Sequence, residues 1–313
     1  MLMLAALLLE LLLGWPRWLF ARVRHPVVWL GALISLLEQR FNKPSASDRQ
    51  RYIAGALGSL LLIGLSAAVA GLLVRLLPDN PFGFLLEAML ASSLLAARSL
   101  YQHVAAVLAP LRCQDVPAAR QAVSMIVGRD TRELEESGIC SAALESLAEN
   151  ASDGVIAPLF WGVLLGLPGM AAYKAINTLD SMIGHRSEQY KDYGRFAARL
   201  DDVANFLPAR VCAALFWLAA AGRISFAAVA RQADHHRSPN AGWPESAMAF
   251  ALDVRLSGPR VYQHTISDEP WLNPTGAAPG VSALQQGLRL YATAVMLSAA
   301  LLLAALLGMM LLR

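Results

Sequence analysis

Three long apolar runs dominate the hydropathy pattern: Met1–Phe20, Ile53–Leu77 and Leu290–Leu312. Each reaches the ~20 residues that a helix needs to cross a hydrocarbon core of ~30 Å. Three weaker runs lie between them. Phe82–Ala97 is short, Val155–Ala172 contains Pro158, Gly162, Gly166, Pro168 and Gly169, and Pro208–Ala221 opens on a proline and carries Arg210. No stretch alternates polar and apolar residues as a half-buried strand does. The pattern predicts an all-α integral membrane protein. It would be a polytopic helical bundle of about 4–6 membrane-embedded helices, some re-entrant, with cytoplasmic helical segments. One membrane-embedded domain is expected over 1–313. Its apolar segments are 1–20, 53–77, 82–97, 155–172, 208–221 and 290–312, and its polar segments are 98–154, 174–207 and 223–289.

Lys and Arg mark the cytoplasmic side of a membrane protein. Arg17, Arg22, Arg24, Arg40, Lys43, Arg49 and Arg51 crowd the stretch from Arg17 to Tyr52, which puts it in the cytoplasm and the N-terminus outside. The Pro78–Pro81 turn is then outside and, with 82–97 spanning, Arg98–Asp153 is inside. A crossing at Val155–Ala172 would next place Lys174–Asp202, with its five Lys and Arg, on the wrong side. Arg223–Arg289 carries six more, yet one apolar run separates the two stretches. Parity is restored if the two proline- and glycine-interrupted segments do not cross. Broken helices are tolerated at membrane depth where protein or a watery cavity covers their backbone.

Composition agrees with this reading. The chain is 56% hydrophobic and 16% charged, against about 25% charged in soluble domains, and its mean hydropathy is +0.46. A formal net charge of +3 is too small to suggest nucleic acid as a partner. Cys113, Cys140 and Cys212 form no CxxC or metal-type spacing, so reduced thiols are expected rather than disulfides or zinc. No Lys or Arg precedes the first apolar run, which therefore reads as a retained helix and not a cleaved signal. Glu10 and Glu87 lie inside apolar runs, where a carboxylate costs about 3 kcal/mol unless paired or facing a cavity. A site wall and a helix–helix polar contact are equal readings of both. Ser267–Pro279 is turn-rich and reads as a surface loop.

Four polar clusters interrupt the apolar pattern. The first runs Gly128-Arg129-Asp130-Thr131, then a helix from about Ser137 through Glu145, Glu149-Asn150 and Asp153-Gly154. Glu145, Glu149 and Asp153 fall at i, i+4 and i+8 on one helical face, either solvated or part of a Mg²⁺ site. The second places Lys174, Asn177, Asp180 and Ser181 on one stripe that ends at His185. A lone lysine at a helix end snorkels, but four polar groups in an apolar neighbourhood ask for more. The third is Arg199-Leu-Asp201-Asp202-Val-Ala-Asn205, followed by Pro208 and Arg210. Paired carboxylates suit Mg²⁺–phosphate, flanking arginines suit phosphate oxygens, and an N-cap cluster is the plainer alternative. The fourth runs Asp234-His235-His236-Arg237-Ser238-Pro239-Asn240 through Trp243 to Glu245. Adjacent histidines cannot share one helical face as HxxxH does, so acid–base or substrate contacts are expected rather than zinc. GxxxxGK[ST], GxGxxG and GxSxG are absent.

In order along nearly the whole chain stand Val127-Gly-Arg-Asp-Thr131, Ala148-Glu-Asn-x-x-Asp-Gly-x-x-Ala-Pro-Leu-Phe160, Tyr173-Lys-Ala-x-Asn-Thr-Leu-Asp-Ser-Met182, Arg199-x-Asp-Asp-Val-Ala-Asn-x-Leu-Pro-Ala-Arg210 and Ser238-Pro-Asn-x-x-Trp-x-Glu245. His25-Pro26-Val27…Trp29-x-Gly31 and Ala97-Arg98-Ser99-Leu100 join them. Together these resemble the adenosylcobinamide-phosphate synthase family of cobalamin biosynthesis (CobD/CbiB). Two positions depart from the family. Glu10 stands where it tends to carry Asp, and Gly14-Trp15-Pro16 replaces Gly-Asp-Pro, which removes a carboxylate.

The resemblance implies a multi-pass enzyme of the cell inner membrane with its active site facing the cytoplasm. It implies an ATP-dependent ligase that consumes Mg²⁺–ATP and joins a corrinoid, adenosylcobyric acid, to an aminoalcohol phosphate. The amine would be (R)-1-amino-2-propanol O-2-phosphate or ethanolamine phosphate, and the product adenosylcobinamide phosphate. On that footing Glu149, Asp153, Asp201 and Asp202 are the expected metal ligands. Arg129, Arg199 and Arg210 are expected at phosphates, and Asn150, Asn177, Asn205 and Asn240 at the amide-rich substrate. Lys174, Asp180, His185, His235 and Glu245 are the expected catalytic groups, with His185, His235 or a carboxylate as base. The bilayer is the other partner, with a homo-oligomer or other membrane enzymes of the pathway as further candidates. The rival readings are a non-enzymatic membrane sensor like AmpE, a transporter with a midplane site, and a phosphotransferase using Asp pairs. The first would not need the full Asn/Asp set, the second would move solute without ATP, and the third lacks its DGxxAR-type signature here.

Overall fold

The computed structural model describes residues 1–185, 187–262, 265–267 and 269–312, and at 17, 19, 20, 260–262 and 265–267 the backbone alone. Arg186, one of the charges counted above, and Asp268 of the turn-rich stretch lie outside the described residues. Thirteen helices follow in chain order among the described residues: α1 (Leu2–Leu13), α2 (Arg17–Val23), α3 (Pro26–Phe41), α4 (Asp48–Leu76), α5 (Pro81–Ser92), α6 (Ala97–Arg112) and α7 (Val116–Ser124). After them come α8 (Glu136–Ala151), α9 (Ala157–Ile183), α10 (Arg195–Ala219), α11 (Phe226–Ala233), α12 (Gly242–Leu252) and α13 (Val281–Leu311). A π-helical turn, Ser152–Ile156, joins α8 to α9. Five stretches are long and apolar enough to cross a membrane: 48–76, 81–112, 136–183, 195–219 and 281–311. The protein is a polytopic helical membrane protein. Contacts divide it into two compact units, residues 1–96 with 157–205, and 97–156 with 206–313.

In the first unit the expected single helix over 1–20 is two. Gly14 takes φ 58°, a left-handed stop open to glycine, and Pro16 cannot continue the ladder. The resulting twelve-residue α1 is about 18 Å long, short of a crossing. It packs on α5, which is equally short because the chain turns at Ser93. Ser47 and Gln50 cap the start of α4 reciprocally. Farther along, α4 lies so close to the 184–194 loop that a Cβ on Gly55 would fall 1.9 Å from the Tyr193 carbonyl oxygen. Ile34, Leu62, Leu179, Ile183 and Tyr193 fill the core that follows.

The segment 155–172 does not run straight. Gly166 sits at φ 66°, ψ −158° inside α9, a conformation essentially confined to glycine. A Cβ on Gly169 would lie 2.6 Å from the Trp161 carbonyl oxygen, and one on Gly162 would lie 2.8 Å from Met170 Cγ. In a straight helix residues eight apart are about 12 Å distant. The chain therefore doubles back at Gly166 as a helical hairpin, and Ala157 and Tyr173 meet again in one buried cluster. The first arm, Ala157–Leu165, is about 14 Å long and follows the π turn and α8 directly. Val163, Leu164 and Leu165 at its tip are each about 60% exposed, an apolar end suited to lipid. Charge parity asked for two segments that do not cross, and the reversal gives one of them, 155–172, the form of a re-entrant element, whereas 208–221 lies in a helix long enough to span.

Pro208 was expected to break its segment as well, and it does not: α10 runs unbroken from Arg195 to Ala219. A proline in a helix strips the carbonyl four residues back of its donor. Here that carbonyl, Ala204, receives the Trp161 indole N–H at 3.1 Å instead.

The second unit is built on α8, buried from Ile139 to Ala148, against which α6, α12 and α13 pack. The Tyr291 hydroxyl of α13 donates to the Ala97 carbonyl at 2.9 Å. Strands, which the hydropathy pattern did not show, are two or three residues long: β1 (Leu256–Ser257), β2 (Arg260–Tyr262), β3 (Thr265–Ser267) and β4 (Trp271–Leu272). β1 pairs with β4 and β2 with β3, both antiparallel.

Candidate active site

The first unit gathers the Lys174 and Asp201 motifs on the hairpin and on α10. The Tyr173 hydroxyl donates to Asn205 Oδ1 at 2.8 Å, and Asn205 Nδ2 donates to Asp201 Oδ2 at 2.9 Å. All three residues are buried. Asp202, one residue on, is exposed, as is Arg199. Two turns after Tyr173 on α9, Asp180 lies within electrostatic reach of both His185 and Asp202. The spacing of the second and third motifs therefore brings an acid pair, an amide and an imidazole to neighbouring turns.

Lys174 has a different surrounding. It lines an apolar cleft of about 350 Å³ between α3, α4, α5 and the hairpin, together with Leu30, Val69, Leu90 and Leu167. Its charge reaches His25, whose imidazole is held below its ordinary value by burial first and by Lys174 second, against a backbone contact from Ser93. His25 Nδ1 accepts the Val27 N–H at 3.2 Å and so caps α3. Asn177, half-buried one turn on, accepts the Ser181 hydroxyl on its carbonyl at 2.8 Å.

In the second unit the predicted acidic face divides. Glu145 is buried and forms an ion pair with Arg129 at 3.2 Å. It also accepts the Ser141 hydroxyl at 2.8 Å and the Ser257 N–H at 2.9 Å. Ser257 in turn donates to Glu269 at 3.4 Å, and Arg237 pairs with Glu269 at 3.2 Å. This network ties the 129 loop to the 237 loop, a structural use of Arg129 that spacing did not show. Glu149 is exposed and Asp153, within the π turn, half-buried beside Cys212. A π turn adds a residue and re-aims the side chains on it, and such turns recur at functional sites. Asn150 donates to the Ser146 carbonyl at 2.9 Å.

The fourth motif folds over the end of α10. His235 is exposed, whereas His236 is buried with Nε2 3.7 Å from Glu245 Oε1. The sequence offered two adjacent histidines, and burial distinguishes them. Asn240 is buried, and Ser238 Oγ accepts the N–H groups of Asn240 and Ala241 at 3.3 and 3.1 Å. The Arg210 guanidinium stacks 3.6 Å from the Phe206 ring centroid and 4.6 Å from that of Trp243. Among the described residues no three His, Cys, Asp or Glu side chains form a metal cage. Mg²⁺ bound with phosphates asks for less, one or two carboxylates, which Asp201–Asp202 and Glu149–Asp153 each supply.

A polytopic helical membrane protein with buried polar clusters at its helix ends is the class that fold and site define. The chain belongs to the CobD/Cbib family: the profile described as CobD/Cbib protein matches residues 3–291. It is 51% identical to "Cobalamin biosynthesis protein CobD" of Rhodobacter capsulatus over 94% of this chain and 93% of that protein. To the proteins of the same name from Sinorhizobium sp and Brucella suis it is 47% and 48% identical, over 88% and 87% of this chain and 88% and 85% of theirs. No solved structure matches it significantly. Its role lies in cobalamin biosynthesis.

Proposed function

We propose that this protein is the ATP-dependent ligase that forms the amide between the propionate carboxylate of adenosylcobyric acid and an aminoalcohol phosphate, giving adenosylcobinamide phosphate. The observation that carries this reading is the family match over residues 3–291, which includes every polar cluster described above. A carboxylate and an ammonium group do not condense unaided. Transfer of the ATP γ-phosphoryl group to the carboxylate oxygen, with ADP leaving, makes an acyl phosphate. The amine nitrogen then attacks the acyl carbon, phosphate leaves, and one proton must be taken from nitrogen.

The chain's residues fit these demands. Asp201 with Asp202, and Glu149 with Asp153, are the carboxylate pairs that would hold Mg²⁺, which when bound neutralises charge on phosphoryl oxygens. Asn205, fixed by Tyr173, holds Asp201 in orientation. Lys174, Arg129, Arg199 and Arg210 offer charge to phosphates. Asp180 beside His185 is the pair to which we assign the proton, with His235 and the buried Glu245 as the other acid–base groups. Asn150, Asn177 and Asn240 suit the corrinoid's amides. The cytoplasmic side of the inner membrane, where ATP is present, is the location this chemistry requires. The test is direct: purified protein in lipid with adenosylcobyric acid, ATP, Mg²⁺ and each aminoalcohol phosphate, with product mass and ADP measured. ADP release with no product gain from any amine overturns the assignment.

A further inference from the structure

Arg289 is the charged residue that precedes the long apolar run of α13; Leu290–Leu312 carries no charge. Gln286, Arg289, Leu290 and Thr293 fall at i, i+3, i+4 and i+7, one helical face, and all line a pocket of about 350 Å³. A neighbouring face of α13 is committed to the core: a Cβ on Gly287 would lie 2.3 Å from Leu144 Cδ2. The facing wall is the turn after α10, which follows another uncharged run, Val211–Gly222. There Ala221 and Gly222 both hold positive φ, 56° and 66°. The left-handed region strains an alanine, whose Cβ crowds the following carbonyl. The turn is held nonetheless, because Gly222 N donates to the Trp217 carbonyl at 3.1 Å and the Trp217 indole donates to the Ile224 carbonyl at 2.9 Å. Arg223, between these anchors, is thereby fixed on the pocket rim.

Arg223 and Arg289 are exposed, and neither pairs with an acidic side chain among the described residues. No acidic residue lines the pocket, whose remaining wall is apolar. Below it, Met296, Leu303 and Leu307 continue the Thr293 face as an exposed apolar stripe. Two uncompensated guanidiniums, an amide and a hydroxyl thus sit where a helix passes from polar to apolar sequence, above a greasy track. A soluble phosphate would use the head of this arrangement and waste the track; an anionic phospholipid uses both.

We infer that Arg223 and Arg289 bind the phosphate of an anionic phospholipid, with its acyl chains along the Met296–Leu303–Leu307 stripe of α13. The experiment is native mass spectrometry of the full chain released from detergent, titrated with phosphatidylglycerol or phosphatidylcholine. Wild type should retain phosphatidylglycerol at least tenfold better than phosphatidylcholine. Arg223→Gln with Arg289→Gln should weaken that retention roughly 30-fold, each single change about fivefold, and the double lysine variant only a few-fold. The single changes decide the matter if the double variant does not fold. Equal retention of the two lipids by wild type, or unchanged selectivity in the glutamine variants, overturns the inference. So does displacement of phosphatidylglycerol by glycerol 3-phosphate, which would mark a site for soluble phosphates.

Discussion

Tyr173 on the hairpin holds Asn205 on α10 by a 2.8 Å hydrogen bond, and through Asn205 it fixes Asp201. Removing the hydroxyl leaves a buried amide oxygen short of a donor, a loss of about 1–3 kcal/mol. Groups that orient a ligating carboxylate are worth about 10–100-fold in affinity or activity. Tyr173→Phe should therefore lower kcat by about that factor with little change in KM, and Asp201→Asn should lower it further. Wild-type kcat in Tyr173→Phe would show that the relay does not serve catalysis.

The hairpin makes a topological prediction. Ser187 is exposed on the loop that follows its second arm. With the exposed Cys113 replaced by serine, Ser187→Cys in intact spheroplasts should react with a membrane-impermeant maleimide only after permeabilisation. Labelling from the outer face would mean that the chain crosses between 157 and 183.

Gly166 is the point on which this reversal turns. Its φ and ψ lie where a Cβ is strained by about 1–3 kcal/mol. Gly166→Ala should lower the midpoint of thermal unfolding in detergent by several degrees, while Gly64→Ala, where a Cβ meets nothing within 4 Å, serves as the neutral control.

The Arg129–Glu145 pair is buried on both sides. Breaking one partner of such a pair costs about 3–5 kcal/mol, and replacing both by apolar groups costs much less. Glu145→Leu alone should destabilise more than Glu145→Leu with Arg129→Met, read from unfolding midpoints in a double-mutant cycle. Additive losses would mean that the two side chains do not interact.

His25 gives a pH dependence. Its pKa is lowered in the folded state, so the unfolded chain takes up a proton first as pH falls. The stability linked to neutral His25 is present above about 6.5, its unfolded value, and is lost as pH drops through the lower folded value. Protonation also removes the acceptor that caps α3. The unfolding midpoint should fall on acidification from pH 7 to 5, and His25→Asn, which keeps a cap but does not titrate, should flatten the profile.

Local spacing carried some of this and could not carry the rest. Asp201 and Asn205 are four apart, so their hydrogen bond is visible in the sequence. Tyr173 sits 32 residues from Asn205, and no periodicity joins them. Glu145 reads as part of an acidic stripe because helical spacing knows nothing of Arg129 on a preceding loop. The same blindness affects Pro208, a breaker by local rules, whose orphaned carbonyl is rescued by Trp161 from another helix. The reversal at Gly166, by contrast, was legible at one remove. Charge parity asked for two segments that do not cross; the glycines and prolines of 155–172 marked a break that the chain makes, and Pro208 of 208–221 marked one that it does not.

The unequal lengths of α4 and the hairpin arm have a consequence for the lipid around them. At 29 residues α4 is about 44 Å long, more than the ~30 Å core needs, so a thinner bilayer is met by tilt. The second hairpin arm, from Leu167 to Ile183, is about 26 Å long. The two pack together around Leu62, Leu179 and Ile183, so a change in bilayer thickness that tilts α4 presses on an arm of different length. Both line the Lys174 cleft, and we expect the width of that cleft to follow acyl-chain length.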